Sequence, residues 1–194
     1  AQIRLMEKLK NHHGKDSMLV LRPAEAKETT VAWKMAMENT ATPTALIFSR
    51  QNITDLPEGN DYSLAERGAY IVAGSDENPD VVMVASGSEV STLISGANLL
   101  RKDGVRCRIV SVPSEGLFRS QPKEYQESVV PAGAKVFGMT AGLPVNLQGF
   151  LVGAAPESKI WGLESFGFSA PYKVLDEKLG YTGENVYAQV KAML

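Results

Sequence analysis

The run Val81-Val-Met-Val-Ala85 constrains the fold of this 194-residue chain more than any other stretch. Five consecutive apolar residues leave no polar face for solvent, which is typical of a strand covered on both sides in a parallel sheet. Apolar residues then recur with helical spacing at Val90, Leu93, Ile94, Ala97 and Leu100. A buried strand followed by an amphipathic helix predicts a βα unit, and with it an α/β fold.

Strands and helices are predicted to alternate along the rest of the chain. The further strands are expected at residues 17–21, 44–48, 70–73, 105–112, 135–139 and 159–163. The further helices are expected at residues 2–10, 24–38, 122–129, 145–154, 170–179 and 184–193. This order predicts a three-layer α/β/α sandwich with a mostly parallel sheet, preceded by a truncated α/β segment.

A stretch rich in turn residues divides the pattern. Between Gln51 and Arg67 the periodicity ends, and acidic, proline, glycine and asparagine residues of the linker type follow one another. We therefore predict one domain at residues 1–53, a linker at 54–66 and a second domain at 67–194.

Composition excludes several classes of function. Hydrophobic residues make up 44% and charged residues 22%, and the formal net charge of −2 comes from interspersed acids and bases. No basic patch predicts nucleic-acid binding, and no apolar run approaches the roughly 20 residues that span a bilayer. The single cysteine, Cys107, cannot form an internal disulfide, which suits a reducing cytoplasm. We expect a cytoplasmic protein with neither nucleic-acid nor membrane partners.

Two polar motifs are weak candidates for a site. His12 and His13 are adjacent, and no carboxylate or cysteine completes a metal-ligand set around them, so a solvated turn is predicted. Ser86-Gly-Ser-Glu89 has the spacing of a capping box, with Ser86 as N-cap and Glu89 reaching back. A phosphate site at this helix start is disfavoured because Glu89 would oppose an anion. We predict no catalytic, cofactor-binding or metal-binding residue in this chain.

The stretch Thr44–Asn52 is a stronger candidate. A buried strand ends there in four polar residues, Ser49-Arg-Gln-Asn52, at the carboxyl edge where open α/β sheets place their ligand sites. The guanidinium of Arg50 can hold a phosphate through two parallel hydrogen bonds. The residues alone leave a surface salt bridge equally open for Arg50.

Several motifs in one order carry a family resemblance over nearly the whole chain. They are Arg22–Glu28, Val31–Lys34, Pro43–Asn52, Arg67–Val72, Ala85–Val90, Val110–Ser114, Glu127–Pro131, Phe166–Pro171 and Gly183–Val186. Together they resemble the transketolases, which are thiamine diphosphate enzymes built from three α/β domains. The resemblance implies that residues 1–53 end the pyrimidine-binding domain and that residues 67–194 form the C-terminal domain.

The resemblance also implies a function. A transketolase transfers a two-carbon ketol unit from a ketose phosphate to an aldose phosphate in the pentose phosphate pathway, and acts as a homodimer. Arg50 matches the family's arginine that binds the phosphate of the sugar substrate. Thiamine diphosphate and a divalent cation, Mg or Ca, are expected in the full enzyme. The family's activating glutamate, metal ligands and diphosphate loop have no counterpart here, so we expect an inactive C-terminal fragment that binds neither group.

Two alternatives remain open at this point. The chain could be a stand-alone α/β interaction or dimerisation module, since its C-terminal domain shows no catalytic constellation. It could also belong to a related thiamine diphosphate enzyme, such as a deoxyxylulose-phosphate synthase or a dehydrogenase component. The match around Ser49–Asn52 favours transketolase itself.

Overall fold

The computed structural model describes residues 2–74 and 78–194. Ala1, where the predicted first domain begins, lies outside the described residues, as do residues 75–77. The α-helices are α1 (Gln2–Met6), α2 (Ala26–Glu38), α3 (Glu89–Lys102), α4 (Glu115–Ser120), α5 (Lys123–Val129), α6 (Tyr172–Leu179) and α7 (Gly183–Lys191). The strands are β1 (Leu19–Leu21), β2 (Thr44–Leu46), β3 (Tyr70–Ala73), β4 (Val81–Ala85), β5 (Cys107–Ser111), β6 (Val136–Met139) and β7 (Lys159–Trp161). Short 3₁₀ helices occupy Tyr62–Arg67, Pro144–Asn146 and Gln148–Leu151.

Strands β3 to β7 form a five-stranded sheet in the order β3-β5-β4-β6-β7. The four strands β5, β4, β6 and β7 are parallel, and β3 runs antiparallel to β5 at one edge. Strand β4 lies in the middle and is buried along its whole length, as its apolar run predicts. The predicted α/β fold with a mostly parallel sheet is therefore confirmed.

Successive residues of β4 face opposite layers of helices. Val81 and Met83 belong to a core cluster that includes Leu93 of α3 and Val190 of α7. Val82 and Val84 belong to a second cluster that includes Phe118 of α4, Val129 of α5 and Phe150. The sheet is thus the middle layer of a three-layer sandwich.

Strands β1 and β2 form a separate two-stranded parallel sheet joined by α2. Leu19 pairs with Thr44 and Leu21 with Leu46, so the predicted parallel βαβ unit is confirmed. We call residues 2–53 the N-terminal segment and residues 68–194 the C-terminal segment. The domain boundary at residues 54–66 remains a prediction.

The structure corrects one predicted helix and adds another that was not predicted. The stretch predicted as a helix at 145–154 forms two 3₁₀ turns, because Gly149 and Gly153 weaken an α-helix and Gly153 adopts a φ of 78°. Helix α4 was not predicted, although its N-cap carries a readable signal. Ser114 is that N-cap, and its side chain accepts a hydrogen bond from the Leu117 amide at 3.4 Å.

The predicted capping box at the start of α3 is wrong. Ser88, not Ser86, precedes the first helical residue, and its side chain makes no capping hydrogen bond. The carboxylate of Glu89 does not reach back to the backbone because it is hydrogen-bonded to Arg22 of the N-terminal segment.

Candidate functional site

A cleft of about 570 Å³ lies between the N-terminal and C-terminal segments. Its N-terminal wall is formed by Arg22 and by residues 47–54, which follow β2. Its C-terminal wall comes from the start of α3 and from α6, and includes Ser88, Glu89, Ser91, Thr92, Asp176 and Tyr181. The cleft therefore gathers hydroxyl, carboxylate and guanidinium groups from both segments.

Arg50 lies in this cleft, four residues beyond the end of β2. Its side chain is exposed, and within residues 2–74 and 78–194 it forms neither a hydrogen bond nor an ion pair. The surface salt bridge that the sequence left open is thus not found among those residues. The guanidinium keeps all its donors available for an anion.

Arg22 is the second arginine of the cleft, and both of its terminal guanidinium nitrogens are hydrogen-bonded within the chain. It follows β1, and its Nη2 donates to Glu89 Oε1 at 2.9 Å while its Nη1 donates to Glu89 Oε2 and to the Ser86 carbonyl. Glu89 Oε2 also accepts from the Ala141 amide at 3.1 Å. The two side chains are only 17% and 7% exposed, so the pair is screened little by solvent. Although burial lowers the pKa of Arg22, the hydrogen bonds and charge of Glu89 raise it overall.

Gly87 makes the approach of Arg22 possible. It adopts a φ of 64°, which glycine accepts without steric cost. A Cβ atom at this position would lie 2.6 Å from the Cζ atom of Arg22. Any side chain at residue 87 would therefore displace the guanidinium from Glu89.

Several of the remaining polar groups of the cleft are hydrogen-bonded within the chain or have shifted pKa values. Tyr181 donates its hydroxyl to the Thr140 carbonyl at 2.9 Å, and burial, with the charge of Glu89, raises its pKa to about 12. Burial, again with Glu89, raises the pKa of Asp176. The Ser91 hydroxyl donates to the Ser88 carbonyl at 2.9 Å. The Ser91 and Tyr181 hydroxyls thus donate within the chain, and Arg50 is the cation of the cleft left to bind an anion.

The other sequence candidates lie elsewhere. His12 and His13 are exposed in a turn, where the His13 amide donates to Asn11 Oδ1 at 2.9 Å. Cys107 is buried in β5, and burial raises the pKa of its thiol to about 11. In the described parts of the chain, no group of three or more histidine, cysteine, aspartate or glutamate residues could hold a metal ion. No helix of those parts is long and apolar enough to cross a bilayer.

Sequence reasoning found Arg50 but missed the pair formed by Arg22 and Glu89. Arg22 directly follows strand β1, and Glu89 begins the helix after strand β4, so each lies near the carboxyl end of a parallel strand. The two strands belong to different sheets, however, and nothing in the sequence shows which edges face each other. The capping-box spacing also offered Glu89 a local partner.

Comparison with known proteins gives consistent matches. The family described as "Transketolase-like TK C-terminal domain" matches residues 68–182. The transketolase of Staphylococcus aureus strain MW2 is 40% identical over 180 residues, which are 91% of this chain and 27% of that protein. The transketolase structure from Leishmania mexicana superposes with a TM-score of 0.82 at 34% identity, over 93% of this chain and 26% of the other.

A further solved relative contains a sugar phosphate. The transketolase of Pichia stipitis in complex with sedoheptulose-7-phosphate superposes with a TM-score of 0.81 at 28% identity, over 98% of this chain and 28% of the other. The chain thus spans little more than a quarter of the length of these relatives. The shared part is the C-terminal part, as the matched family description indicates.

Proposed function

Because this chain belongs to the transketolase family, we propose that it is the C-terminal part of a transketolase and that Arg50 binds the phosphate of the sugar substrate. In this proposal residues 1–53 end the pyrimidine-binding domain, residues 54–66 link it to the next, and residues 67–194 are the C-terminal domain. The observation that carries the phosphate role is the uncommitted guanidinium of Arg50 in a cleft lined by hydroxyl groups.

Charge balance in the cleft supports a single phosphate position. Arg22 and Arg50 are the two cations of its lining, and Glu89 neutralises Arg22. Asp176 adds a second carboxylate to the lining, and Arg50 is the arginine left to bind a dianionic phosphate through two hydrogen bonds. The phosphate is remote from the reacting carbonyl, so its binding energy serves to position the sugar for the chemical step.

The whole enzyme would transfer a two-carbon ketol unit from a ketose phosphate to an aldose phosphate in the pentose phosphate pathway. Thiamine diphosphate, bound with Mg²⁺ or Ca²⁺, would stabilise the carbanion that such a transfer requires. The described residues offer no cluster that could hold the cation, so we derive no step through either group for this chain. We place the enzyme in the cytoplasm as a homodimer.

The relatives support this substrate class. The Pichia stipitis structure holds sedoheptulose-7-phosphate, a ketose phosphate, in a protein whose C-terminal part has the fold of this chain. The proteins compared above are transketolases, which favours ketol transfer over the reactions of deoxyxylulose-phosphate synthases and dehydrogenase components. The Arg50 role itself rests on the cleft geometry and on the motif Ser49–Asn52.

The test uses the active transketolase that contains this chain. Arg50→Ala should raise KM for a ketose phosphate by roughly 10- to 100-fold, since hydrogen bonds between charged groups are lost, and should change KM for the unphosphorylated ketose little. Arg50→Lys should recover part of the loss, because lysine keeps the charge without the fork. Arg119→Ala is the matched control, since Arg119 pairs with Glu115 away from the cleft.

Equal changes of KM for phosphorylated and unphosphorylated ketoses would remove the phosphate role from Arg50.

A second measurement tests whether the 194-residue chain has activity without the rest of the enzyme. The purified 194-residue chain, supplied with thiamine diphosphate and Mg²⁺, should show no ketol transfer. Transfer by this chain alone would contradict the proposed domain assignment.

A further inference from the structure

The two segments meet through charged side chains that are largely buried. Besides the pair formed by Arg22 and Glu89, Glu7 accepts from the Ser114 hydroxyl at 3.0 Å and Glu28 accepts from the Tyr70 hydroxyl at 2.7 Å. Buried hydrogen bonds to charged groups favour one geometry, because a shifted partner leaves a buried charge without a hydrogen bond. The contact between the segments is therefore specific in position.

Of these contacts, the Arg22–Glu89 pair is the one that lies in the cleft with Arg50. Arg22 directly follows Leu21, the last residue of β1, and its amide donates to the Pro113 carbonyl at 2.8 Å. Leu21 pairs with Leu46 of β2, and its carbonyl accepts from the Ile47 amide at 2.9 Å. Glu89 is thus connected to Ile47, where β2 leads into Arg50, through its hydrogen bonds to Arg22, the peptide bond from Arg22 to Leu21, and the hydrogen bond from the Ile47 amide to the Leu21 carbonyl.

The stretch that carries Arg50 is held within the N-terminal segment by a ring contact: Phe48 stacks on Trp33 of α2, with ring centroids 6.2 Å apart. We call residues 48–55 the Arg50 loop. In the described parts of the chain, this loop forms no hydrogen bond. It is fixed at one end by Ile47 on β1 and followed at the other by Leu56, which is 4% exposed in the core. The position of the loop therefore depends on where β1 and β2 are held.

We infer that the Arg22–Glu89 pair positions the Arg50 loop: the C-terminal segment holds the end of β1 through this pair together with the hydrogen bond from the Arg22 amide to the Pro113 carbonyl, and β1 in turn holds β2 and Arg50. Glu89 is then a positioning residue that acts on substrate binding without touching the substrate. Its second effect is to neutralise Arg22, which would otherwise offer the phosphate a competing cation. This gives the C-terminal segment a task in phosphate binding, and that part of the inference rests on the function proposed above.

Amide hydrogen exchange on the 194-residue chain tests the positioning directly. Glu89→Gln keeps the shape of the side chain and removes its charge, so exchange of the Ile47 and Arg22 amides should accelerate by at least about tenfold. The Val112 amide, which donates to the Ala85 carbonyl inside the C-terminal segment, should be unaffected. Unchanged protection of Ile47 and Arg22 would overturn the inference.

Further variants keep the test decisive if Glu89→Gln does not fold. Arg22→Lys keeps the charge and loses the two-pronged contact, so it should accelerate exchange of the Ile47 amide less than Glu89→Gln but still measurably. Asp80→Asn is the matched control, because the Asp80–Arg106 ion pair lies wholly within the C-terminal segment. Equal acceleration of Ile47 by Asp80→Asn and Arg22→Lys would show a general loss of stability and would overturn the inference.

Steady-state kinetics of the active transketolase test the consequence for substrate. Glu89→Gln should raise KM for a ketose phosphate by roughly threefold to tenfold, with a smaller change in KM for the unphosphorylated ketose, since misplacement of a binding group weakens only the contact it makes. If Arg50→Ala is selective for phosphate and Glu89→Gln is not, the positioning inference fails and the proposed function stands. If Arg50→Ala is not selective, the proposed function fails, and the exchange experiment still decides whether the pair holds β1.

Discussion

The two segments of this chain are stabilised in different ways. The C-terminal segment has five strands with helices on both faces, and most of its largest buried side chains are apolar or aromatic, such as Phe137, Met83 and Leu93. The N-terminal segment has two strands of three residues each, and it directs charged side chains towards its neighbour. Two large apolar side chains on its helix α2 remain exposed, Trp33 at 51% and Met37 at 77%.

The C-terminal segment therefore supplies most of the stability, whereas the N-terminal segment carries Arg50 of the candidate site. A two-stranded sheet with one helix of 13 residues and one of five buries too little apolar surface to be stable in isolation. Within these 194 residues the N-terminal segment is therefore stabilised by its contact with the C-terminal segment, and it carries Arg50. The C-terminal segment contributes a rigid support whose polar contacts decide where Arg50 lies.

The largest expected effect lies in the core of the C-terminal segment. Phe137→Ala should lower the free energy of unfolding by about 3–5 kcal/mol, because it leaves a cavity in a fully buried site of the central sheet. Met37→Ala, on the exposed face of α2, should change it by less than about 0.5 kcal/mol. Urea unfolding followed by circular dichroism measures both values. Equal losses would contradict the contrast between the segments.

A smaller effect is expected where the segments meet. Tyr70→Phe removes the hydroxyl that donates to Glu28 Oε1 at 2.7 Å, and leaves that carboxylate buried with one donor fewer. We expect a loss of about 1.5–3 kcal/mol in the free energy of unfolding, as for hydrogen bonds to charged groups. Tyr187→Phe is the matched control, since its hydroxyl donates to the exposed Asp103 at 2.7 Å and its loss should matter little. A Tyr70→Phe protein as stable as the Tyr187→Phe protein would show that the contact is not stabilising.

The free energy of unfolding should also depend on pH through Glu28, at the same contact between the segments. We expect this effect to be smaller than that of Tyr70→Phe. Burial raises the pKa of Glu28 above its ordinary 4.5, against the hydrogen bonds that the carboxylate accepts. The folded state therefore binds a proton more tightly than the unfolded state at this residue. The contribution of this protonation to the free energy of unfolding is fully present below pH 4.5. It is lost as the pH rises through the raised pKa.

Glu28→Gln removes this titration and supplies the comparison. The stability of the unmodified chain relative to the variant should fall as the pH is raised from 4.5 towards neutrality, in urea unfolding at a series of pH values. A relative stability that rises over this range would mean that the pKa of Glu28 is lowered and not raised.

The sequence predicted the elements that depend on a local residue pattern. It did not predict contacts between residues that lie far apart in the chain. The apolar run of β4 and the helical stripe of α3 are local signals, and both elements were found where expected. Arg50 was recognisable because it follows a strand end. Glu89 was assigned to a capping box because the local pattern fits one, whereas its partner Arg22 is 67 residues away. Gly149 is a second case of a distant partner. A Cβ atom at this position would meet the Arg119 guanidinium, a contact that cannot be read from the local sequence.

The measurement that tests the account most directly is a structure of the active transketolase containing this chain with a ketose phosphate bound. The account predicts phosphate oxygens about 2.7–2.9 Å from the Arg50 guanidinium nitrogens. It also predicts that Arg22 remains hydrogen-bonded to Glu89 and makes no contact with the phosphate. A phosphate bound by Arg22, or held outside the cleft with Arg50 turned away, would contradict it.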